Sequence, residues 1–382
     1  KKATGSAEAW VMHDNIRGIL TGGNDPQLQA DSSAVEWSGS TNIDLTGTGF
    51  NLTSSSAQYN ENSQTYIYMA IRRPFKPAEE FAATTDLFGI LNSIPANSAT
   101  NGTVISTSNN IDMIIGNPDY GPGGSEYVTS RLQGGKAMRT DYANAEFSSA
   151  SFEFDYNNAF KQAVGNGTGF LAYSLTRAPG FFDVVCYTGN QTARQINHNL
   201  GAVPEMMIVK CRSQTRNWAV YAGPQGNTKV ANLNSTGAFT ADTSSWNNTS
   251  PTSTHFTVGD GATTNFNPEP MVAYLFASVP GISKIGSYTG TGTSSNVNVD
   301  CGFSSGARFV MVKWADDTSS WYFWDSVRGI VASTDPYLQF NNNNAEVSTD
   351  WIDPLSSGFT VTNAAGNDAN NSGGTYIFLA IA

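Results

Sequence analysis

Charge is scarce in this chain. Asp, Glu, Lys and Arg make up only 13% of its 382 residues, about half the usual share, and the formal net charge is −11. A surface that tracks phosphates needs clustered Lys and Arg. The basic residues here are scattered, which argues against nucleic acid as a partner. Cysteine is rarer still: Cys186, Cys211 and Cys301 are an odd number with no Cys-x-x-Cys spacing. Neither a disulfide framework nor a zinc site is expected, and the three read as small buried hydrophobes. No apolar run reaches the roughly 18 residues that span a bilayer, and residues 1–10 hold no signal-peptide core. Membrane insertion is not expected.

What the chain has instead is neutral polarity from Gly, Ser, Thr and Asn, together with 8 Trp, 15 Tyr and 21 Phe. That many aromatics belong to a folded protein, not a disordered one. It also repeats itself. Trp321-Tyr322-Phe323-Trp324-Asp325-Ser326-Val327-Arg328-Gly329 answers Trp10-Val11-Met12-His13-Asp14-Asn15-Ile16-Arg17-Gly18, Asp335-Pro336 answers Asp25-Pro26, and Tyr376 to Ile381 answers Tyr66 to Ile71. A third copy lies between them: Tyr187-Thr188-Gly189 matches Tyr288-Thr289-Gly290, Lys210 matches Lys313, Trp218 matches Trp321 and Phe256 matches Phe359. A divergent further copy is marked by Asn144-Ala145-Glu146 against Asn344-Ala345-Glu346, with Phe170 to Leu175 as its closing strand.

The repeats divide the chain into residues 1–73 (a truncated first repeat), 74–179 (a divergent second), 180–280 (third) and 281–382 (fourth). Pro and Gly break the pattern at Arg73-Pro74, Pro179-Gly180 and Pro280-Gly281. Inside a repeat, apolar residues alternate or run in short β-branched and aromatic blocks, spaced by turn formers such as Gly121-Pro122-Gly123-Gly124. That is the signature of β-sandwiches. The expected fold is all-β: tandem sandwiches of lectin-like or jelly-roll-like type, joined by short linkers into a rod-like array. The first repeat has no Tyr-Thr-Gly opening, and Lys1-Lys2 falls where Lys210 and Lys313 end a strand. The expectation is a chain that starts in mid-repeat, with its open edge filled by upstream polypeptide or by a neighbouring chain.

Chemistry is thinly represented. His13, His198 and His255 are not shared between copies, and no nucleophile elbow, His-Glu-x-x-His or P-loop occurs. No catalytic residue, metal site or cofactor is therefore expected. Asp316-Asp317 and Gly366-Asn367-Asp368-Ala369-Asn370 lack the spacing of a calcium loop and read as Asx turns. Asp-x-x-Arg-Gly, at Asp14/Arg17/Gly18 and Asp325/Arg328/Gly329, offers a guanidinium fork for a sugar or carboxylate, but a turn-fixing ion pair is the preferred reading. Trp10, Trp218 and Trp321 recur at one strand position and are assigned to cores. Trp37, Trp246 and Trp351, in the variable segments, are the weak candidates for an exposed ligand-binding platform.

Several strings carry a resemblance. Arg177-Ala178-Pro179-Gly180-Phe181-Phe182-Asp183-Val184-Val185-Cys186-Tyr187-Thr188-Gly189, Asn197-His198-Asn199-Leu200-Gly201-Ala202-Val203-Pro204-Glu205-Met206-Met207-Ile208-Val209-Lys210, Tyr66-Ile67-Tyr68-Met69-Ala70-Ile71-Arg72-Arg73-Pro74 and Trp324-Asp325-Ser326-Val327-Arg328-Gly329 resemble repeat-containing, tail-fibre-like structural proteins of marine cyanophages. The resemblance implies a virion location, extracellular in action, and a non-enzymatic role in a tail or fibre with host-surface attachment. It also implies other virion proteins as partners and a homo-oligomer, a trimer by analogy with phage fibres. It supplies no binding residues. The alternatives are a carbohydrate-active protein that binds or cleaves host surface glycan, and a capsid-decorating fibre.

Overall fold

The computed structural model describes residues 1–14, 18–19, 24–46, 49–71, 76–94, 103–117, 124–134, 136–148, 158–162 and 170–382. Arg17, the Arg73-Pro74 break and the 121–123 turn lie outside them. The described chain is nearly all β, in antiparallel sheets. Three of these sheets have six strands and one common order. In the third repeat an opening strand, Phe182–Thr188, pairs with the closing strand, Pro270–Phe276. The closing strand pairs on its other edge with Met206–Cys211, which leads through Ala219–Ala222 and Lys229–Asn232 to Thr240–Ala241. The fourth repeat places Ser283–Thr289, Thr375–Ile381, Phe309–Trp314, Tyr322–Asp325, Asp335–Gln339 and Val347–Thr349 in the same order. The second does so with Phe88–Ile94, Phe170–Leu175, Met113–Gly116, Tyr127–Ser130, Lys136–Arg139 and Phe147–Ser148.

A smaller sheet backs each large one. In the third repeat it is Arg194–Asn197 with His255–Val258, and in the fourth Val297–Asp300, Gly358–Val361 and Ile352–Leu355. Between the two layers lies the core of each sandwich: Val209, Trp246 and Phe256 in the third repeat, Val310, Trp324 and Phe359 in the fourth. Side chains alternate across a strand, so the closing strand Thr375–Ile381 sends Tyr376, Phe378 and Ala380 into that core and turns Ile377, Leu379 and Ile381 the other way.

Those outward residues decide the arrangement of repeats. A sheet apolar on both faces needs a second cover, and Met113, Val128 and Tyr173 of the second repeat, Val184, Val220 and Tyr274 of the third, and Phe309, Met311 and Leu379 of the fourth fall into one buried cluster. The expected rod, in which only consecutive sandwiches touch, does not form. The second and fourth repeats meet directly, as where the Tyr173 hydroxyl donates to Asp325 Oδ2 at 2.8 Å. The three large sheets close into a ring around a shared core.

The first repeat is less regular. Its described pairs are short: Val11–Met12 with Leu28–Gln29, and Ile43–Leu45 with Phe50–Leu52. No helix among the described residues is long and apolar enough to cross a membrane.

Candidate functional site

The seams of the ring hold a recurring set of buried polar groups. At the seam between second and third repeats, Trp218, fully buried, donates its indole Nε1–H to the carbonyls of Arg139 and Tyr142, each at 3.0 Å. Lys210 ends its strand with an ammonium that donates to Cys211 O and Gln214 O of its own repeat and to Ala143 O across the seam. Two backbone bonds, Arg216 N to Ala143 O and Glu146 N to Arg212 O, stitch the edges. The seam between third and fourth repeats has the same parts. Trp321 Nε1 donates to Asn232 O at 3.0 Å, Lys313 to Trp314 O, Asp317 O and Thr236 O, Ser319 N to Thr236 O, and Phe239 N to Ala315 O. Burial pulls both ammonium groups down to about 8, and the three carbonyls offset that cost.

The third seam is different. Tyr127–Ser130 holds the ring position of Ala219–Ala222 and Tyr322–Asp325, so the residue before it, Glu126, stands where the others have Trp218 and Trp321. Its carboxyl is buried, and Oε2 has no partner among the described residues. Desolvation foremost, then Asp141 and Asp325, push it up to about 8 against the pull of Arg328. Opposite lies the Asp-x-x-Arg-Gly turn of the fourth repeat. Asp325 Oδ1 accepts from Val327 N at 3.0 Å and Arg328 N at 2.9 Å, while Oδ2 accepts from Arg328 Nε and from the Tyr173 hydroxyl. Arg328 also reaches Glu346 and the Tyr173 oxygen at 3.2 and 3.3 Å. The equivalent tyrosine of the third repeat, Tyr274, donates to Gln133 of the second at 2.7 Å. The motif is therefore a turn and ion pair, as preferred, and it is also the dock for a neighbouring repeat's tyrosine.

On the axis the three sheets leave a cavity of about 50 Å³, lined by Met113, Thr140, Trp218, Leu233, Met311 and Phe340 among others. It is apolar and small, a packing defect where three sheets converge.

The candidate platform residues are not brought together. Trp37 keeps 48% of its surface exposed, whereas Trp246 is fully buried. Trp246 donates to Lys229 O and packs edge-on to Tyr221, which corrects its assignment to an exposed face. Trp351 is half-buried and stacks on Tyr337 at 5.0 Å. Trp10, assigned to a core, is 47% exposed. The carboxylates of the calcium-loop candidates are taken up in hydrogen bonds, two of them to residues far along the chain rather than in Asx turns: Asp316 accepts from Thr375 N, Asp317 from Thr318 N, and Asp368 from the Ser319 hydroxyl. The described residues contain no cluster of three or more His, Cys, Asp or Glu able to hold a metal. His198 is buried, which lowers its pKa, and bonds to Thr252 O; His13 sits between Pro26 O and the Tyr59 hydroxyl. All three cysteines are buried.

Sequence reading missed Glu126, Gln133, Thr140, Tyr173 and Tyr274. Their signal was positional: each falls at a fixed distance from strands shared by the three repeats, but for Glu126, Gln133, Thr140 and Tyr173 the second repeat had diverged too far for that register to be read. A family model described as Domain of unknown function (DUF7483) matches residues 1–74 and 135–382, and the chain belongs to that family. Glu126 lies in the stretch between the two matched parts. A search of curated proteins finds no match.

Proposed function

We propose that this chain is a structural component of a phage virion, part of a tail or fibre, that serves host-surface attachment and carries out no catalysis. The observation that supports it most is the ring: three tandem sandwiches share one apolar core and are locked by two congruent seams. Such a body resists shear without disulfides, since its repeats cannot separate without exposing core. The neutral, Ser-, Thr- and Asn-rich composition and the resemblance of the long strings above to cyanophage fibre-like proteins point the same way. Its partners are then other virion proteins and copies of itself, in a trimer by analogy with fibres. A capsid-decorating fibre is the same chemistry at another place on the particle.

Glycan is the ligand class that attachment calls for, and the half-exposed indole of Trp37 is the platform candidate that keeps an open face. The test is mass spectrometry of purified virions together with adsorption in the presence of antibody to this chain. Peptides of the chain in the particle and blocked adsorption are expected. Its absence from particles, or release of reducing sugar from host polysaccharide by the purified chain, would overturn the reading in favour of a free carbohydrate-active protein.

A further inference from the structure

The three seams differ in what joins them. Two lie between consecutive repeats, linked through Pro179-Gly180 and Pro280-Gly281. Each of these is stitched by two backbone hydrogen bonds, a tryptophan indole and a lysine ammonium. The third joins the second and fourth repeats, which do not follow one another in the chain, and among the described residues no backbone hydrogen bond crosses it. Its strands are in register with the others, since Ile115 faces Val128 as Ile208 faces Val220 and Met311 faces Phe323. Asn117 therefore stands in the place of Lys210 and Lys313, and its amide donates within its own repeat, to Gly124 O at 2.9 Å. Glu126 stands in the place of the tryptophan.

The described contacts across this seam run through side chains. The Tyr173 hydroxyl meets Asp325 and Arg328, Arg308 Nη1 donates to Phe88 O at 3.1 Å, and the rings of Phe88 and Tyr173 pack edge-on to Phe309 at 5.7 and 5.3 Å. Glu126 faces Asp325 and Arg328 of the fourth repeat, with Glu346 beyond Arg328, and Asp141 and Tyr173 of its own. Those are the titratable and charged groups around it among the described residues. The single cation in that set is already shared by Asp325 and Glu346. A charged Glu126 adds a carboxylate that this seam neither pairs nor hydrates, and parting the seam gives it water.

We propose that the ring is a clasp, which opens at the seam between the second and fourth repeats as pH rises and closes as pH falls, its three sandwiches intact and its two stitched seams acting as hinges. The direction follows from burial, which pushes the Glu126 carboxyl from 4.5 up to about 8 in the closed ring. Closed rings keep the proton and open rings release it, so opening gains up to about tenfold per pH unit between 4.5 and 8 and levels off above. The clasp does not depend on the virion assignment.

The test uses the full chain with spin labels on Ala82→Cys and Ala332→Cys, exposed positions of the second and fourth repeats. The three native cysteines are buried and stay unlabelled. Electron–electron resonance distances between the labels are measured from pH 5 to pH 9, with hydrogen exchange at Glu146, Arg216, Phe239 and Ser319, whose amides bridge the stitched seams. A longer-distance population that grows up to pH 8 is expected, with those four amides still protected and no growth in Glu126→Gln. Tyr173→Phe, which removes the hydroxyl that reaches Asp325, should enlarge the longer population at every pH. Distances that do not change with pH, or change equally in Glu126→Gln, overturn the proposal. So does lengthening accompanied by loss of protection at all four amides, which would be unfolding and not the opening of one seam.

Discussion

Trp321 and Trp10 hold the same position in two copies of one repeat, and they live in different worlds. Trp321 is fully buried, edge-on to Phe239 and bonded through its indole to the third repeat. Trp10 is 47% exposed, with the Lys1 ammonium over its ring. The residue is unchanged, and among the described residues no second sandwich covers Trp10. An aromatic at this position is a seam residue, which becomes core only when a second sandwich stands against it. The sharpest way to break that comparison is to truncate both. Trp321→Ala should cost about 3–5 kcal/mol, the range for a large buried aromatic, and Trp10→Ala no more than about 0.5 kcal/mol, as for an ordinary surface site. Denaturant midpoints followed by circular dichroism would show it. Comparable losses would mean that Trp10 is already part of a core.

The same contrast runs between seams. Two are closed by a tryptophan and a lysine; the third is closed by the Asp325, Arg328 and Tyr173 cluster beside Glu126. Arg328→Met should leave Asp325 buried without its cation and destabilise the chain by about 3 kcal/mol, a smaller effect than at Trp321. Proteolysis should then cut first in the second repeat. If the cuts were spread evenly over the three ringed repeats, the third seam would be no weaker than the others.

Glu126 makes that seam sensitive to pH. Its ordinary value of 4.5 is raised to about 8 by burial, so the folded chain holds a proton that the unfolded chain has released. Stability from this group is full below about pH 4.5, falls as pH rises toward 8, and is level beyond. One proton is worth about 1.4 kcal/mol per pH unit at most. Glu126→Gln, which cannot ionise, should flatten this slope, and the gap between variant and parent should widen in the variant's favour from pH 6 to pH 8. Parallel curves would show that the carboxyl is solvated or paired.

The repeats of the third and fourth modules were legible because their strands keep constant spacing and their buried residues keep their type: Trp218 and Trp321, Phe256 and Phe359, Lys210 and Lys313. The all-β class followed from alternation and turn chemistry. The ring was not legible, because a face that packs on a neighbouring repeat and a face that packs inside its own sandwich read alike as alternating apolar residues. Leu379 and Phe378 differ only in which side of one strand they occupy. Trp246 was misplaced for a related reason. Variation between copies suggests exposure, yet its segment folds back so that the indole reaches Lys229 O inside the third sandwich.

The smallest effect bears on the same comparison of seams, at the residue that follows the edge of each inner sheet. Thr140, Leu233 and Phe340 are equivalent, since their amides donate to the carbonyls of Glu126, Trp218 and Trp321 in turn. Two repeats place an apolar side chain there, and the second places a threonine. Thr140 is buried against the axial cavity, and its hydroxyl finds no partner among the described residues. A buried hydroxyl without a hydrogen bond works against folding. Valine has nearly the same shape without that polar atom, so Thr140→Val should stabilise the chain by about 1 kcal/mol. Thr140→Ser keeps the hydroxyl, deletes a methyl beside the cavity and should destabilise by a similar amount. The pair separates the two effects: a gain for valine with a loss for serine assigns the defect to the unpaired oxygen, whereas a loss for both would show the hydroxyl to be satisfied and the third seam to be polar by need.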